Sequence, residues 1–327
     1  MSTVDAATLP IAETVEAFVL GAGKRLRPAF AYWACRGAGG ADSDPLVSTV
    51  AALELVQASA LIHDDVMDGS ATRRGGPAVH RRFADLHRAG RWHGDPDGFG
   101  TGAAILLGDL CLVWSDELWH TGGLPAATLA RARPEFDRMR TDLTLGQYLD
   151  VHAQATGDTT VARALKVARL KSASYTVERP MLLGAALAGA APAVVDAYRR
   201  YGPPLGEAFQ LRDDVLGVFG DPVVTGKPAG DDLREGKRTF LVAAAFEAAD
   251  AATRAVLSGG LGDPQLDQAG VTRLREAITG TGALARTERR IRELTGTALT
   301  ALSGAPLDPE AAGALAALAT AATTRTG

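Results

Sequence analysis

Residues 45–68 read PLVSTVAALELVQASALIHDDVMD. Leu46, Val50, Leu53, Val56 or Gln57, and Ala60 recur in steps of three and four, and the stripe ends at Asp64. That step is the period of an α-helix with one buried face, so the carboxylates at its end continue an apolar stripe and are held in place. Similar periodic runs lie around 99–120, 134–155, 160–190, 192–219, 238–248, 265–300 and 308–323, punctuated by signals such as Gly122-Gly123 and Gly157-Asp158. No run with the two-residue period of a strand competes with them. Loops are expected near 69–76, 88–98 and 220–231, where Gly, Pro, Asp and Arg concentrate. Nothing reads as an interdomain linker or a fixed-period repeat. The expected fold is all-α, a single large helical bundle in which 1–327 form one domain.

Composition supports this reading. Of the 327 residues 46% are hydrophobic and 22% charged, a core-forming balance, while aromatics are only 6%, so Ala and Leu must fill much of the interior. That favours close-packed helices over sheet. A net charge of −4 with scattered arginines provides no field for nucleic acid, which is excluded as a partner. Cys35 and Cys111 stand alone in apolar segments without metal-ligand spacing, so they are expected as buried free thiols. Asp5, Glu13 and Glu16 occupy the first stretch, unlike the basic start of a signal peptide. The apolar stretch Met181 to Val195 is Ala/Gly-rich, broken by Pro192 and too short to span a bilayer. A cytoplasmic protein without a transmembrane segment is expected.

The cluster His63-Asp64-Asp65-Val66-Met67-Asp68 carries the first chemical signal. Asp64 and Asp68, four apart, share a helix face, with Asp65 about 100° round. Such a pair repels until a hard cation with oxygen ligands relieves it, and Mg2+ characteristically takes one or two carboxylates together with phosphate oxygens. Arg73 and Arg74 follow within one short loop, and guanidinium forks match phosphate oxygens. Acids and arginines together read as metal plus anion; a solvated helix end with surface ion pairs is the plainer alternative. A second apolar run ends in Phe209-Gln210-Leu211-Arg212-Asp213-Asp214, followed by Gly217, Gly220 and Asp221. Two such ends facing one another across a bundle would place metal at the mouth of an interhelical cavity. Gly23-Lys24-Arg25-Leu26-Arg27-Pro28 is not a nucleotide loop, since Arg25 stands where a P-loop requires Ser or Thr.

Gly23 to Pro28, His63 to Gly75, and Gly206 to Thr239 with its Asp-Asp-Leu-Arg-Glu-Gly-Lys-Arg-Thr, together resemble the trans-isoprenyl diphosphate synthases, or polyprenyl synthetases, in order and in spacing. The likeness is greatest to the bacterial geranylgeranyl diphosphate synthases. It implies the isoprenoid synthase fold, a helical bundle around a central apolar cavity, and head-to-tail condensation of isopentenyl diphosphate with allylic diphosphates (dimethylallyl, geranyl or farnesyl). By the same resemblance Asp64, Asp68 and Asp213 bind Mg2+, three ions with substrate bound, with Asp65 and Asp214 in support. Arg73, Lys171, Gln210, Lys227 and Lys237 contact the allylic diphosphate. Lys24, Arg27, Gln57 and Arg74 hold isopentenyl diphosphate. Ser172 stands where the family has Thr or Ser, and a homodimer is the family's usual assembly.

The chemistry suits those residues. Ionising an allylic C–O bond puts negative charge on diphosphate and positive charge on carbon, so cations at the leaving group supply most of the catalysis. The carbocation needs a dry apolar pocket, and the departing diphosphate can take the proton lost at the end. Ser59 and Ala60 lie about one turn, roughly 5.4 Å, from Asp64, with Val56 and Leu53 beyond as a floor. In the resembled family an aromatic at either small position stops growth at fifteen carbons, so a twenty-carbon product is expected. Gly217 replaces a usual third aspartate, with Asp221 an imperfect substitute; Gln57 replaces a usual His and Ala173 a common Gly. A class I terpene cyclase is the first rival, disfavoured by Lys24, Arg27 and Arg74. A non-catalytic synthase subunit is the second, disfavoured by the surviving aspartates.

Overall fold

The structure, a computed structural model, describes residues 5–21, 23–221 and 230–324. A 3₁₀ turn at Ala6–Thr8 leads into α1 (Leu9–Leu20), α2 (Leu26–Gly37) and α3 (Asp44–Met67). A small antiparallel hairpin follows, β1 (Thr72–Arg73) and β2 (Gly76–Pro77), then α4 (Val79–Gly90), α5 (Pro96–Thr121), α6 (Ala126–Thr156) and α7 (Val161–Val167). The chain continues through a π-helical stretch at Ala168–Glu178 into α8 (Arg179–Ala188) and α9 (Pro192–Phe219). It closes with α10 (Asp231–Arg234), α11 (Phe240–Ala248), α12 (Ala251–Gly260), α13 (Gln268–Gly280), α14 (Ala283–Leu302) and α15 (Pro309–Thr323). The expected all-α class is what the chain adopts. It divides into two compact units, Met1–Pro28 with Ser43–Pro125, and Ala29–Asp42 with Ala126–Gly327.

The first unit is organised by α3 and α5. Ser43 caps α3 by accepting the Leu46 N–H, Pro45 sits in the first turn where its missing N–H costs nothing, and Asp68 closes the helix by donating its N–H to Asp64 O at 2.8 Å. Asp95 caps α5 through the N–H groups of Asp97 and Gly98. Small residues let the helices approach: Gly108 lies under the His63 ring, Gly122 against Thr49, and Gly100 against the His80 carbonyl of α4. Val15, Ala58, Ile62, Val79, Phe83, Leu107 and Cys111 form the apolar centre. Each large side chain buried there contributes about 1.5–3 kcal/mol. Both α3 and α5 reach the length and apolarity of a membrane span, which reading Met181 to Val195 alone did not anticipate. They pack on one another within this unit, and α5 leaves Ile105, Leu106, Leu112 and Val113 exposed.

The second unit is built around α9. Leu211, Val215 and Val218 pack with Phe240, Leu241, Leu274, Ile278 and Ile291. Two of its buried tyrosines are anchored by their hydroxyls: Tyr198 donates to Ala34 O at 2.9 Å and Tyr201 to Leu315 O at 2.7 Å. Cys35 in this unit and Cys111 in the first are buried free thiols as expected, and burial pushes each thiol up to about 11.

Several boundaries differ from the sequence reading. The run 160–190 is three pieces, because its middle is wound as a π-helix against Gly146 of α6 and Gly206 of α9. A side chain at either glycine would overlap that backbone. The run 265–300 breaks at Thr281-Gly282, where Gly282 has φ +80°. The loop at 69–76 contains the hairpin, whose two turn residues, Arg74 (φ 55°) and Gly75 (φ 79°), both take the left-handed conformation of a type I′ turn. α4 extends into the expected loop at 88–98, and α1, α2 and α12 lie outside the runs where periodicity was legible.

Candidate active site

In the first unit the end of α3 and the hairpin build one charged corner. Asp64 and Asp68 stand one turn apart, as their spacing requires. Asp65 points the other way and is fully buried. The hairpin folds Arg73 back onto it: Arg73 Nε donates to both Asp65 oxygens at 2.9 and 3.1 Å, and a guanidinium Nη completes the fork. The same Nη lies 3.5 Å from Asp64 Oδ2. Arg73 therefore orients the acidic corner in addition to any anion it meets, a role its position in sequence did not reveal. His63, which opens the motif, turns toward α5 and meets Ile105 O at 3.0 Å and Asp109 at 3.6 Å, so its task is packing.

A cationic group gathers nearby. Arg74 donates to Phe18 O at 2.7 Å and lies over the Phe18 ring. Burial pushes the Arg74 guanidinium below its ordinary range; Arg25, Arg73 and Arg27 act in the same direction and Glu54 opposes them. Cations this crowded lower the cost of binding an anion. Arg25, to which the sequence reading gave no role, bonds Glu54 at 2.5 Å and Gly21 O at 2.8 Å, tying the segment after α1 to α3. Arg27 lies in the first turn of α2, Lys24 just before it is exposed, and Gln57 is half-buried on α3. Ser59 is buried, Ala60 half-buried, and Val56 and Leu53 are fully buried.

In the second unit Asp213 is half-exposed and Asp214 buried on α9. Gln210 Nε2 donates to Asp214 Oδ1 at 2.6 Å. Burial lifts the Asp214 carboxyl to about 8; the Gln210 bond opposes this, and Asp232, Asp213 and Asp150 reinforce it. Burial thus favours the neutral carboxylic acid at Asp214 over its charged form. Lys171, in the π-helical stretch, pairs with Asp150 at 2.6 Å. Lys237 pairs with Glu235 at 2.8 Å and lies 3.7 Å from Asp232. Lys227 lies outside the described residues. Position 217 holds the main surprise: a Cβ there would overlap the Asp232 carboxylate, whereas Asp221 is exposed beyond the end of α9. Asp150 and Asp232 were missed in the sequence. The available signals were a lone acid four residues after Gly146 and the second acid of Asp-Asp-Leu-Arg.

Among the described residues no three acidic, imidazole or thiol groups converge into an all-protein metal cage. The donor set fits Mg2+ all the same. That ion keeps most positions for water and phosphate oxygens and takes only one or two carboxylates, which the one-turn spacing of Asp64 and Asp68 provides.

Residues 10–278 match the polyprenyl synthetase family, and the chain belongs to it. It is 39% identical over 232 residues to a geranylgeranyl diphosphate synthase of Mycobacterium tuberculosis, a match covering 71% of this chain and 61% of that protein. It is 33% identical to a geranylfarnesyl diphosphate synthase of Aeropyrum pernix over 83% of this chain and 80% of the relative. The chain thus spans about three fifths of the mycobacterial relative's length. Its fold superposes with a TM-score of 0.96 and 41% identity on a geranylgeranyl pyrophosphate synthase from Corynebacterium glutamicum complexed with isoprenyl diphosphate and magnesium, covering 99% of this chain and 92% of that one.

Proposed function

We propose that the chain is a Mg2+-dependent head-to-tail prenyltransferase that condenses isopentenyl diphosphate with allylic diphosphates and yields geranylgeranyl diphosphate. The observation that carries this reading is the corner at the end of α3, where Asp64 and Asp68 share a face and the hairpin turns Arg73 and Arg74 to opposite tasks. Family membership and relatives named as geranylgeranyl diphosphate synthases support it.

In this reading Asp64, Asp68 and Asp213 hold Mg2+, with Asp65 and Asp214 behind them. Bound Mg2+ would neutralise charge developing on the departing diphosphate. Arg73, Lys171, Gln210, Lys227 and Lys237 bind and orient the allylic diphosphate, and Asp150 fixes Lys171 through their 2.6 Å pair. Lys24, Arg27, Arg74 and Gln57 hold isopentenyl diphosphate; the electrostatic crowding around Arg74 favours an anion there. Ser59 and Ala60, with Val56 beyond, leave room for a growing chain, and apolar walls exclude water from the cation. A homodimer belongs to this reading and is supported by α5, where Ile105 and Leu112, and Leu106 and Val113, are each seven residues apart and exposed, forming one apolar stripe on the helix. We read the two units as one working domain, because each is assembled from separated stretches of chain and α2 continues through their boundary.

The test is direct. The purified chain is incubated with Mg2+, isopentenyl diphosphate and one allylic diphosphate at a time, and products are identified by mass spectrometry. Condensation to a twenty-carbon diphosphate is expected. Cyclic hydrocarbon from one substrate, or no reaction with any, would overturn the reading.

A further inference from the structure

The π-helical stretch at Ala168–Glu178 runs for 11 residues, where such windings are ordinarily single-turn bulges, so contacts from outside must hold it. One face of α6 supplies three of them. Asp142, Gly146 and Asp150 follow one another at four-residue steps and therefore lie on one stripe. Asp150 pairs with Lys171 at 2.6 Å, and the missing side chain of Gly146 lets the backbone at Leu170 and Lys171 come close. Asp142 has no part in the two acidic clusters. Its Oδ2 accepts from Ser174 Oγ at 3.1 Å and from Arg179 Nε at 3.1 Å. Ser174 is buried inside the stretch, and Arg179 opens α8 directly after it. Arg179 Nη1 also donates to Glu135 Oε2 at 2.9 Å, two turns before Asp142 on α6. Burial works against the charge on Arg179, but the Glu135 bond and the charges of Glu135, Glu178 and Asp142 outweigh it and raise its pKa. The side chains of Arg179 and Asp142 are 16% and 19% exposed, so the pair is held by its surroundings and is not a loose surface contact.

We infer that Asp142, through Ser174 and Arg179, is a positioning residue that fixes the winding of the π-helical stretch and with it the place of the Lys171 ammonium. The inference rests on the functional reading above, in which Lys171 meets the allylic diphosphate. Lys171 stands three residues before Ser174. A helix closed by i→i+5 bonds turns less per residue than an α-helix, so relaxation at Ser174 to the tighter winding would swing Lys171 about the axis. The Asp150 pair does not prevent this by itself, because an ammonium on a flexible four-carbon stem can follow its partner while the backbone turns. Asp142 grips the stretch beyond Lys171, at Ser174 and at the junction with α8, where the winding changes back.

The test has two readouts on the full chain. In steady-state kinetics Asp142→Ala should raise the KM for the allylic diphosphate about tenfold and leave that for isopentenyl diphosphate unchanged, since only the first substrate meets Lys171. Asp142→Asn keeps an acceptor oxygen for Ser174 and Arg179 and should recover most of the loss. A smaller folded fraction would lower kcat and move neither KM, so this split separates positioning from stability. The second readout is calorimetric titration of Mg2+ with inorganic pyrophosphate. Asp142→Ala should weaken binding in the wild-type background and be silent beside Lys171→Ala, because a residue that acts only through Lys171 then has nothing to place. If Asp142→Ala does not fold, judged by circular dichroism, Ser174→Ala takes its place and should show the same selective rise and the same silence. Equal rises in both KM values, losses that add to those of Lys171→Ala, or variants that behave like wild type overturn the inference and leave the functional reading standing. A wild-type chain that condenses nothing and binds no Mg2+–pyrophosphate overturns both.

Discussion

Burial lifts the Asp214 carboxyl from an ordinary 3.8 to about 8; the Gln210 bond opposes this, and the charges of Asp232, Asp213 and Asp150 add to it. Between those values the folded chain holds a proton that the unfolded chain has released, so this group's stabilisation is complete below about pH 4 and is lost as pH rises toward 8. Asp214→Asn keeps the acceptor for Gln210 and removes the titration. In chelator-treated protein it should raise the unfolding free energy over wild type by an amount that grows through this window to a few kcal/mol, read from urea melts at successive pH values. A difference that is flat with pH would place the proton elsewhere. Ala60 poses a separate test at this scale. Ala60→Phe should shift the product toward shorter chains with overall turnover largely kept, and an unchanged chain-length distribution by mass spectrometry would remove this residue from the pocket wall.

The π-helical stretch at Ala168–Glu178 is where an element, not a residue, sets function. An ordinary α-helix from 160 to 190 would turn Lys171 about its axis relative to Asp150. The wider winding is fixed on two sides by backbone contact, at Gly146 and Gly206. Gly146→Ala gains helix propensity on α6 but drives its methyl into the backbone at Leu170 and Lys171. The steric term wins: about 1–3 kcal/mol of stability should be lost, with a larger fractional fall in kcat than the melt alone explains as Lys171 moves. A variant that melts above wild type would show the approach to be loose. Hairpin β1–β2 makes a similar point, since its I′ turn separates Arg73, committed to Asp65, from Arg74, committed to Phe18.

At the scale of the molecule, the stripe of Ile105, Leu106, Leu112 and Val113 on α5 predicts the assembly state. Leu106→Glu/Val113→Glu should convert a dimer to monomer in sedimentation equilibrium while circular dichroism stays unchanged. A wild-type chain that sediments as a monomer would refute the assignment of this face. Divalent metal gives a second measurement. Mg2+ with pyrophosphate should raise the melting temperature in a concentration-dependent way that chelator reverses, because a ligand bound only by the folded chain stabilises it by mass action.

Helical class, the ends of α3 and α9, and the acids and arginines near them were legible in the sequence because each depends on local order: a 3.6-residue period, a cap, a four-residue carboxylate spacing. The same locality explains what was not legible. That Arg73 is shared between Asp65 and Asp64, that Lys171 is set by Asp150 through a π-helix, and that the Asp232 carboxylate fills the space beside Gly217 all depend on which segments meet in space. The sequence by itself determined the all-α class, the family and the chemical inventory of the site. Only the tertiary structure decided which carboxylate holds which cation, because the sum of distant backbone contacts fixes those partners, and no periodicity records it.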